Sequence, residues 1–243
     1  MVLQQVTRFG EELASLGWVT DLLIAGSLAS GDHIGGVSDL DLIAVTDGPV
    51  DAARQATLVA LHQRWDERVR DLGCAYLDAA HLAAVDRPHP TWTHGMLVQR
   101  IVSAVTRAEL LTFGRTVYGR EPRDLFSPMT ADDIRAAGRA ELTGYWTWAA
   151  RRPWIWLDPV LADLGLTSMA RGRHTLATGT LITKTEAVER IDAPQWLIGQ
   201  LRRRRRGEPV RSPRLWTAWI AWRDTVRTTR RAGARSDRVP TRG

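Results

Sequence analysis

The most restrictive feature of this chain is a pair of short apolar segments separated by a glycine-rich stretch. Residues 20–25 read TDLLIA and stop at a Gly-Ser pair, and residues 39–45 read DLDLIAV. Short apolar segments bounded by turn residues are typical of buried strands. The intervening residues 31–37 contain three glycines, which allow the loop to fold back. The pattern predicts two strands joined by a loop that returns over their ends.

The pair Gly26-Ser27 at the end of the first segment is suited to binding an anion. Gly26 lets the backbone approach a ligand closely, and residues 27–30 can begin a helix whose free N–H groups face the anion. A single Gly-Ser turn is commonplace, so the pair by itself indicates only a turn. Its position before two acids is what favours a phosphate-binding function.

Two acids open the second segment. Asp39 and Asp41 alternate with leucines, and successive strand side chains point to opposite faces, so both carboxylates share one face. Acids at a strand end are usually only solvated charge. Beside a phosphate-binding turn, two aligned carboxylates form a half-site for Mg²⁺, which completes its shell with water and substrate phosphate. The order and spacing therefore favour metal-assisted chemistry on a nucleoside triphosphate.

These residues carry a resemblance to known enzymes. Gly26-Ser27 followed by Ser38-Asp39-Leu40-Asp41-Leu42 resembles the signature of the DNA polymerase β-like nucleotidyltransferase superfamily. Three later segments are similar to the helical half of the streptomycin and spectinomycin adenylyltransferases: YG at 118–119, DLFSP at 124–128 and LATGTLITKTEA at 176–187. The resemblance runs from about residue 21 to about residue 196.

The resemblance implies a fold, a reaction and a set of site residues. The fold would be α/β (α+β), with a small mixed sheet in a nucleotidyltransferase domain followed by an all-α helical-bundle domain. The reaction would transfer AMP from ATP to a hydroxyl of an acceptor and release pyrophosphate. Asp39 and Asp41 would hold Mg²⁺ and act in catalysis. The residues implied to bind the nucleotide are Gly26, Ser27, Ser38 and Lys184.

Lys184 stands out in composition as well. It is the only lysine among 33 basic residues, and a compact ammonium can sit among phosphate oxygens where a planar guanidinium cannot. A single lysine can also survive by chance in an arginine-biased chain. Lys184 lies in the segment that resembles the adenylyltransferases, which favours a functional role. In that role Lys184 would reach the phosphates when two domains close on substrate.

The family also implies a third carboxylate, on the strand after the long helix, as general base for the acceptor hydroxyl. That strand reads LGCAYLD at residues 72–78 and has no acid at its centre. Asp78 at its end is the nominated catalytic residue, with Glu67 and Asp71 as alternatives that resemble ordinary surface acids. Cys74 fits a small buried hydrophobe better than a nucleophile. The general base is therefore left unassigned.

The acceptor is inferred from acids and one aromatic residue. Aminoglycosides are polycations, and Asp158 and Asp163, at the start of a helix that leads toward Lys184, are the nominated acceptor-binding acids. Acids at helix ends are usually caps or solvated charge. Trp92 lies in a proline-rich stretch predicted to be a loop, where it can stack on a base or sugar ring, or equally cap the sheet.

Composition limits the other classes of function. A single cysteine excludes an internal disulfide, and the chain offers no cysteine cluster for structural zinc. No signal peptide or bilayer-length apolar run is present, so a soluble, cytoplasmic protein without a membrane partner is expected.

The net charge of +6 is concentrated in residues 202–206 and from residue 211 onward. Such tracts are more commonly solvated than bound to nucleic acid, so nucleic acid is not the expected partner.

The pattern changes along the chain from mixed to helical. Residues 2–18 and 51–72 have helical spacing of apolar residues, and strands are predicted between and after them. Beyond Pro122 the pattern is helical, beginning with Thr130 as an N-cap before two acids. The predicted domains are 1–120 and 121–232, followed by a disordered tail at 233–243.

Two other hypotheses stay open at this point. The missing central carboxylate is compatible with a nucleotide-binding module that has little or no catalysis. The basic tract at 202–206 is compatible with a nucleotidyltransferase whose acceptor is protein or nucleic acid. The sequence predicts neither the base preference among nucleotides nor the oligomeric state.

Overall fold

The structure is a computed structural model that describes residues 2–66, 72–84 and 86–234. It divides into two compact units, Met1–Pro128 and Met129–Gly243. Glu67, Asp71 and most of the predicted tail lie outside the described residues. The predicted boundary near Arg120 falls inside the first unit, because Leu125 and Phe126 pack into the core beneath the sheet.

The first unit is a six-stranded sheet with helices on both faces. Its helices are α1 (Val2–Ala14), α2 (Gly26–Ala29), α3 (Ala52–Asp66), α4 (Ala104–Phe113) and α5 (Pro122–Leu125). Its strands are β1 (Val19–Ile24), β2 (Leu40–Thr46), β3 (Leu72–Asp78), β4 (Pro88–Thr93), β5 (Met96–Ile101) and β6 (Arg115–Tyr118). The strand order is β5-β4-β3-β2-β1-β6, and only β2 and β3 run parallel.

Alternation along the central strands produces two separate cores. Leu42 and Cys74 point to the face where α1 and α3 pack, together with Leu58 and Trp65 of α3. Ile43 and Ala75 point to the other face, with apolar side chains of α4 and α5. Because both faces of β2 and β3 are covered, these strands are apolar throughout, apart from the residues at their ends.

An ion pair between the buried Asp21 and the half-exposed Arg120 fixes the sheet edge formed by β6. Asp21 on β1 is 1 % exposed and accepts hydrogen bonds from the Arg120 backbone N–H (2.7 Å), Nε (3.0 Å) and Nη2 (2.7 Å). Burial raises the pKa of Asp21, but the hydrogen bonds from Arg120 and Thr20 outweigh it and hold the pKa below its usual value. The pair therefore anchors the chain after β6 to β1.

Strand β4 was predicted to be a loop because it contains two prolines. Pro88 and Pro90 pair with residues of β5, whereas pairing with β3 involves only Thr91 and Trp92. The prolines therefore lie where β4 has no described pairing with β3. Their missing N–H groups remove no hydrogen bond from the pairing of β4 with β3. This arrangement explains how a strand passes through a segment rich in proline.

The second unit is helical, as predicted. Its α-helices are α6 (Ala131–Glu141), α7 (Thr147–Ala150), α8 (Pro159–Thr178), α9 (Lys184–Val188), α10 (Gln195–Arg205) and α11 (Arg214–Ala234). A π-helix at Leu142–Trp146 joins α6 to α7. Helix α6 begins at the predicted cap, where Thr130 and Asp133 form a reciprocal capping box. Helix α8 packs against α6, α9 and α11 around Trp156, Leu166 and Met169.

Candidate active site

Gly26 and Asp41 lie directly against each other at one end of the sheet. The Ala25 N–H donates to the Asp41 carbonyl at 2.8 Å, which extends the antiparallel pairing of β1 with β2. Gly26 has φ +57°, and a Cβ built on it would overlap Asp41 Oδ2 and lie 3.0 Å from Asp41 Cγ. The carboxylate therefore occupies the space over the Gly26 backbone, at the start of α2.

The loop after α2 closes on itself near this point. Ser27 is 9 % exposed, and its carbonyl accepts the Asp32 N–H at 2.8 Å. The Ser38 hydroxyl accepts the Ile34 N–H at 3.0 Å, while the Ser38 N–H donates to the Ile34 carbonyl at 2.9 Å. Ser38 therefore closes the turn that leads into β2, and its predicted nucleotide contact stays a prediction.

The two aspartates are exposed and frame a buried leucine. Asp39 precedes β2 and Asp41 lies on it, whereas Leu40 between them is 4 % exposed. Within residues 2–66, 72–84 and 86–234, no group of three or more His, Cys, Asp or Glu side chains is arranged to hold a metal. Two exposed carboxylates fit an ion such as Mg²⁺, which takes few protein ligands and keeps water and phosphate oxygens.

The β3 residue beside Asp41 is a glycine. The parallel register pairs Asp41 with Gly73. A Cβ built on Gly73 would lie 3.8 Å from Asp41 Oδ1 and 3.6 Å from the Leu40 carbonyl, both ordinary contact distances. The position on β3 closest to the aspartates therefore has room for a side chain but carries none.

Asp78 lies far from this position. The register pairs it with Thr46, roughly 16 Å along the strands from the Asp41 pair at about 3.3 Å per residue. Its place in the alternation also directs it to the face opposite to that of Gly73. The Asp78 carboxylate accepts the Ala80 N–H at 3.0 Å and pairs with His81 Nδ1 at 2.9 Å. These contacts assign it a capping role, and the register does not support it as general base.

The pKa of Asp78 is also lowered. Burial raises this pKa, but the hydrogen bonds from Ala80 and His81 and the charge of Arg87 together lower it. A carboxylate with a lowered pKa accepts a proton poorly at neutral pH. Neither alternative, Glu67 or Asp71, lies among the described residues.

Trp92 is a core residue, which corrects its prediction as an acceptor-binding loop residue. It lies on β4 and is 1 % exposed, so a substrate cannot reach its ring. The indole stacks on His62 with centroids 4.7 Å apart, and its Nε1–H donates to Asp66 at 3.1 Å. Of the two alternatives for Trp92, the structure shows packing against the sheet.

The three site residues predicted in the second unit have different surroundings. Lys184 is exposed at the first position of α9, whose N-cap Thr183 forms a capping box with Glu186. Asp158 caps α8 by accepting the Val160 N–H at 2.8 Å. Asp163 binds Arg204 through two hydrogen bonds of 2.6 and 2.9 Å. The acceptor-binding roles of the two acids stay predictions.

The basic tract at 202–206 is largely paired inside the second unit. Arg204 binds Asp163, Arg202 binds Glu189, and both Arg203 and Arg206 bind Glu208. These partners are distant or C-terminal in sequence, so the tract appeared unpaired from its composition. Paired guanidinium groups offer little uncompensated charge to nucleic acid, which weakens the reason for a nucleic-acid acceptor.

His94 was not singled out in the sequence. It lies in the turn between β4 and β5 and has φ +50°, the one positive φ outside glycine in the described part of the chain. Its Nδ1 lies 2.9 Å from Thr93 Oγ1. The signal in sequence was the His-Gly pair between two strands, which occupies the place of the Asn-Gly pair common in such turns.

Comparison with known proteins agrees with the fold. No protein-family model and no curated protein matches the chain. Among solved structures, the spectinomycin adenyltransferase AAD(9) from Enterococcus faecialis, determined with ATP and spectinomycin, matches 89 % of this chain and 92 % of its own at TM-score 0.66 and 14 % identity. A toxin–antitoxin structure with AMP-PNP matches 66 % of this chain and 99 % of its own, at 16 % identity and TM-score 0.31. The chain therefore has the fold of a spectinomycin adenyltransferase, which confirms the fold class that its motifs predict.

Proposed function

We propose that this protein is a Mg²⁺-dependent nucleotidyltransferase that transfers AMP from ATP to a hydroxyl of a small, aminoglycoside-like acceptor. The observation that carries the proposal is the contact of the Asp41 carboxylate with the Gly26 backbone, with Asp39 exposed beside it. The fold shared with an adenyltransferase determined with ATP and spectinomycin supports the same reaction class.

Each residue has a separate task in this reaction. The backbone N–H groups at Gly26 and Ser27, where α2 begins, bind phosphate oxygens. Asp39 and Asp41 would hold Mg²⁺, which when bound supplies neutralisation of phosphate charge. The acceptor oxygen forms a bond to the α-phosphorus as the bond to the bridging oxygen breaks, and pyrophosphate leaves. The hydroxyl proton must pass to a base.

Pyrophosphate release tests the proposal. Purified protein with ATP, Mg²⁺ and a panel of aminoglycosides and spectinomycin should release pyrophosphate and form an adenylylated acceptor detectable by mass. Asp41→Asn should abolish release. Asp132→Asn is the matched control, since Asp132 is an exposed acid on α6. No release across the panel, with ATP binding intact, would refute transfer to a small acceptor.

The same measurements separate the alternative of a nucleotide-binding module. The observation that favours this alternative is that Gly73, the residue paired with Asp41, carries no side chain. Calorimetry should then show Mg²⁺-dependent ATP binding that Asp41→Asn weakens, while no acceptor is adenylylated. The predicted phosphate contact of Lys184 is tested in the same titration by Lys184→Ala, with Arg190→Ala as a control cation from the turn that follows the same short helix.

A further inference from the structure

We infer that His94, held by Thr93, is the general base that takes the proton from the acceptor hydroxyl. The inference rests on the proposed function and identifies the base that Asp78 does not supply. Its starting point is the absence of a side chain at Gly73, the β3 position paired with Asp41. The next strand on that side is β4, so its residues are the nearest candidates across the sheet.

The strand register directs Thr93 to the face of the sheet that carries Asp41. Strand β3 pairs with β4 through Cys74 with Trp92 and Ala75 with Thr91. One further step along this antiparallel register sets Thr93 opposite Gly73, and opposed residues share a face. At about 4.8 Å per strand, the backbones of Asp41 and Thr93 are roughly 10 Å apart. The space above Gly73 separates them, wide enough for a substrate hydroxyl.

The backbone conformation of His94 is uncommon outside glycine. Thr93 pairs with Met96, so His94 and Gly95 form a two-residue turn in which both have positive φ, +50° and +74°. Such turns favour Asn-Gly, and a non-glycine residue in the left-handed region is strained, although histidine adopts that region more readily than most residues. Strained residues of this kind cluster at functional sites. The turn would be more stable with asparagine, so turn geometry alone does not explain the imidazole.

A hydrogen bond holds the imidazole beside Thr93. His94 Nδ1 and Thr93 Oγ1 are 2.9 Å apart, and both residues are at least partly exposed. When Nδ1–H donates to Oγ1, Nε2 keeps its lone pair and can accept a proton. Among the residues that the structure describes, Asp66 is the acid near this turn, but its Oδ1 accepts the indole N–H of Trp92, on the opposite face of the sheet.

The proton balance of the step is complete. The acceptor hydroxyl gives its proton to His94 Nε2 as its oxygen bonds to the α-phosphorus, and the bond to the pyrophosphate oxygen breaks. The imidazolium then returns its proton to water, and Thr93 positions the ring throughout. No oxidant or further reactant is required.

His94→Asn is the decisive variant because asparagine suits the left-handed turn and cannot act as a base. The kcat for AMP transfer should fall about 10²- to 10⁴-fold, as for loss of a general base, while the KM for ATP changes less than about threefold. The melting temperature should be equal or higher. In His94→Gly, which also tolerates the turn, added imidazole should restore part of the lost rate.

Matched variants on β4 separate positioning from folding. Thr93→Val should lower kcat about tenfold, the scale of one lost orienting hydrogen bond, and Thr93→Ser should recover it. Thr91→Val is the control, since Thr91 is on the same face and its hydroxyl donates to the His89 carbonyl. Wild-type activity in His94→Asn would overturn the role of His94 as general base and leave the proposed function in place. A wild-type protein that binds Mg²⁺ and ATP without any transfer would overturn this inference together with the proposed function.

Discussion

The Asp41 carboxylate fills the space that a side chain at Gly26 would need. Gly26 begins α2 just after β1, whereas Asp41 lies on β2. The positive φ of Gly26 and the contact with Asp41 occur at the same backbone position. The turn proposed to bind phosphate and the carboxylate proposed to bind Mg²⁺ are therefore packed against each other, so a change in either displaces the other.

Gly26→Ala should disrupt the packing of residue 26 against the Asp41 carboxylate. The new methyl group would meet Asp41 Oδ2, and alanine at φ +57° is strained, so we expect a loss of about 1–3 kcal/mol in the free energy of unfolding. Mg²⁺-dependent ATP binding should weaken at least tenfold. Gly35→Ala is the control from the same loop, where a Cβ has nothing within 4 Å. Equal ATP affinity in the two variants would contradict this account.

Gly73→Glu should restore activity to a protein that lacks His94. The built Cβ has only contacts of 3.6–3.8 Å, so the side chain can enter and place a carboxylate beside Asp41. In the His94→Asn background we expect kcat to rise about tenfold or more, since a general base contributes about 10²–10⁴-fold. Gly73→Gln, equal in size and without charge, should give no recovery. Equal recovery by Gln would show that packing, not proton transfer, is responsible.

Trp92 should contribute to stability and not to acceptor binding. Trp92→Ala removes a buried ring that stacks on His62, so the free energy of unfolding should fall by about 3–5 kcal/mol in urea denaturation. Trp92→Phe should leave the KM for the acceptor unchanged. Trp216→Ala serves as the control for stability, because Trp216 is 66 % exposed. A raised acceptor KM in a folded Trp92→Phe protein would argue for the stacking role instead.

Arg204 should stabilise the second unit. Arg204→Gln leaves the partly buried Asp163 carboxylate without its guanidinium, and burial already raises the pKa of Asp163. We expect a loss of about 1–3 kcal/mol by thermal or urea denaturation. Arg203→Gln, which removes an exposed pair with Glu208, should change stability little. If either variant instead lowered nucleic-acid binding in a salt-dependent manner, the tract would have a binding function.

Acid should destabilise the first unit through His62. Burial lowers the pKa of His62 to about 3, whereas the ordinary value is 6.5. Between these values the unfolded chain binds more protons, so the free energy of unfolding falls as the pH drops from 6.5 toward 3, by up to about 1.4 kcal/mol per pH unit. His62→Gln should flatten that slope in urea titrations across this range. Parallel slopes in the two proteins would exclude His62 as the cause.

Local information was enough to predict the centre of the candidate site. The strand-turn-strand pattern that contains Gly26 and Asp41 depends on neighbours within a few residues, and the structure has β1, α2 and β2 there. The long helix α3 and the capped start of α6 follow from spacing and caps for the same reason. The fold class was confirmed by the shared fold with the adenyltransferase.

What the sequence did not reveal depends on partners that are distant along the chain. Trp92 is buried because β4 places its ring against His62 of α3. The two prolines in β4 obscure the strand pattern, so no local signal in the sequence indicates this contact. Asp163 and Arg204 are 41 residues apart, so composition suggested free charge where the structure has an ion pair. The pairing of Asp41 with Gly73 required the register of two strands joined by α3.

The pair formed by Asp21 and Arg120 has a consequence for the order in which the protein is made. Strand β1 is synthesised first among the strands, yet its outer neighbour β6 is synthesised last, and the ion pair spans 99 positions. Until Arg120 leaves the ribosome, β1 has one open edge and a carboxylate without its cation. Contacts this distant along the chain slow folding and prolong exposure of an edge that can pair with other chains. The first unit is therefore completed only after its last strand, near the middle of the chain, has been made, and that strand covers an edge of β1 that could otherwise pair with other chains.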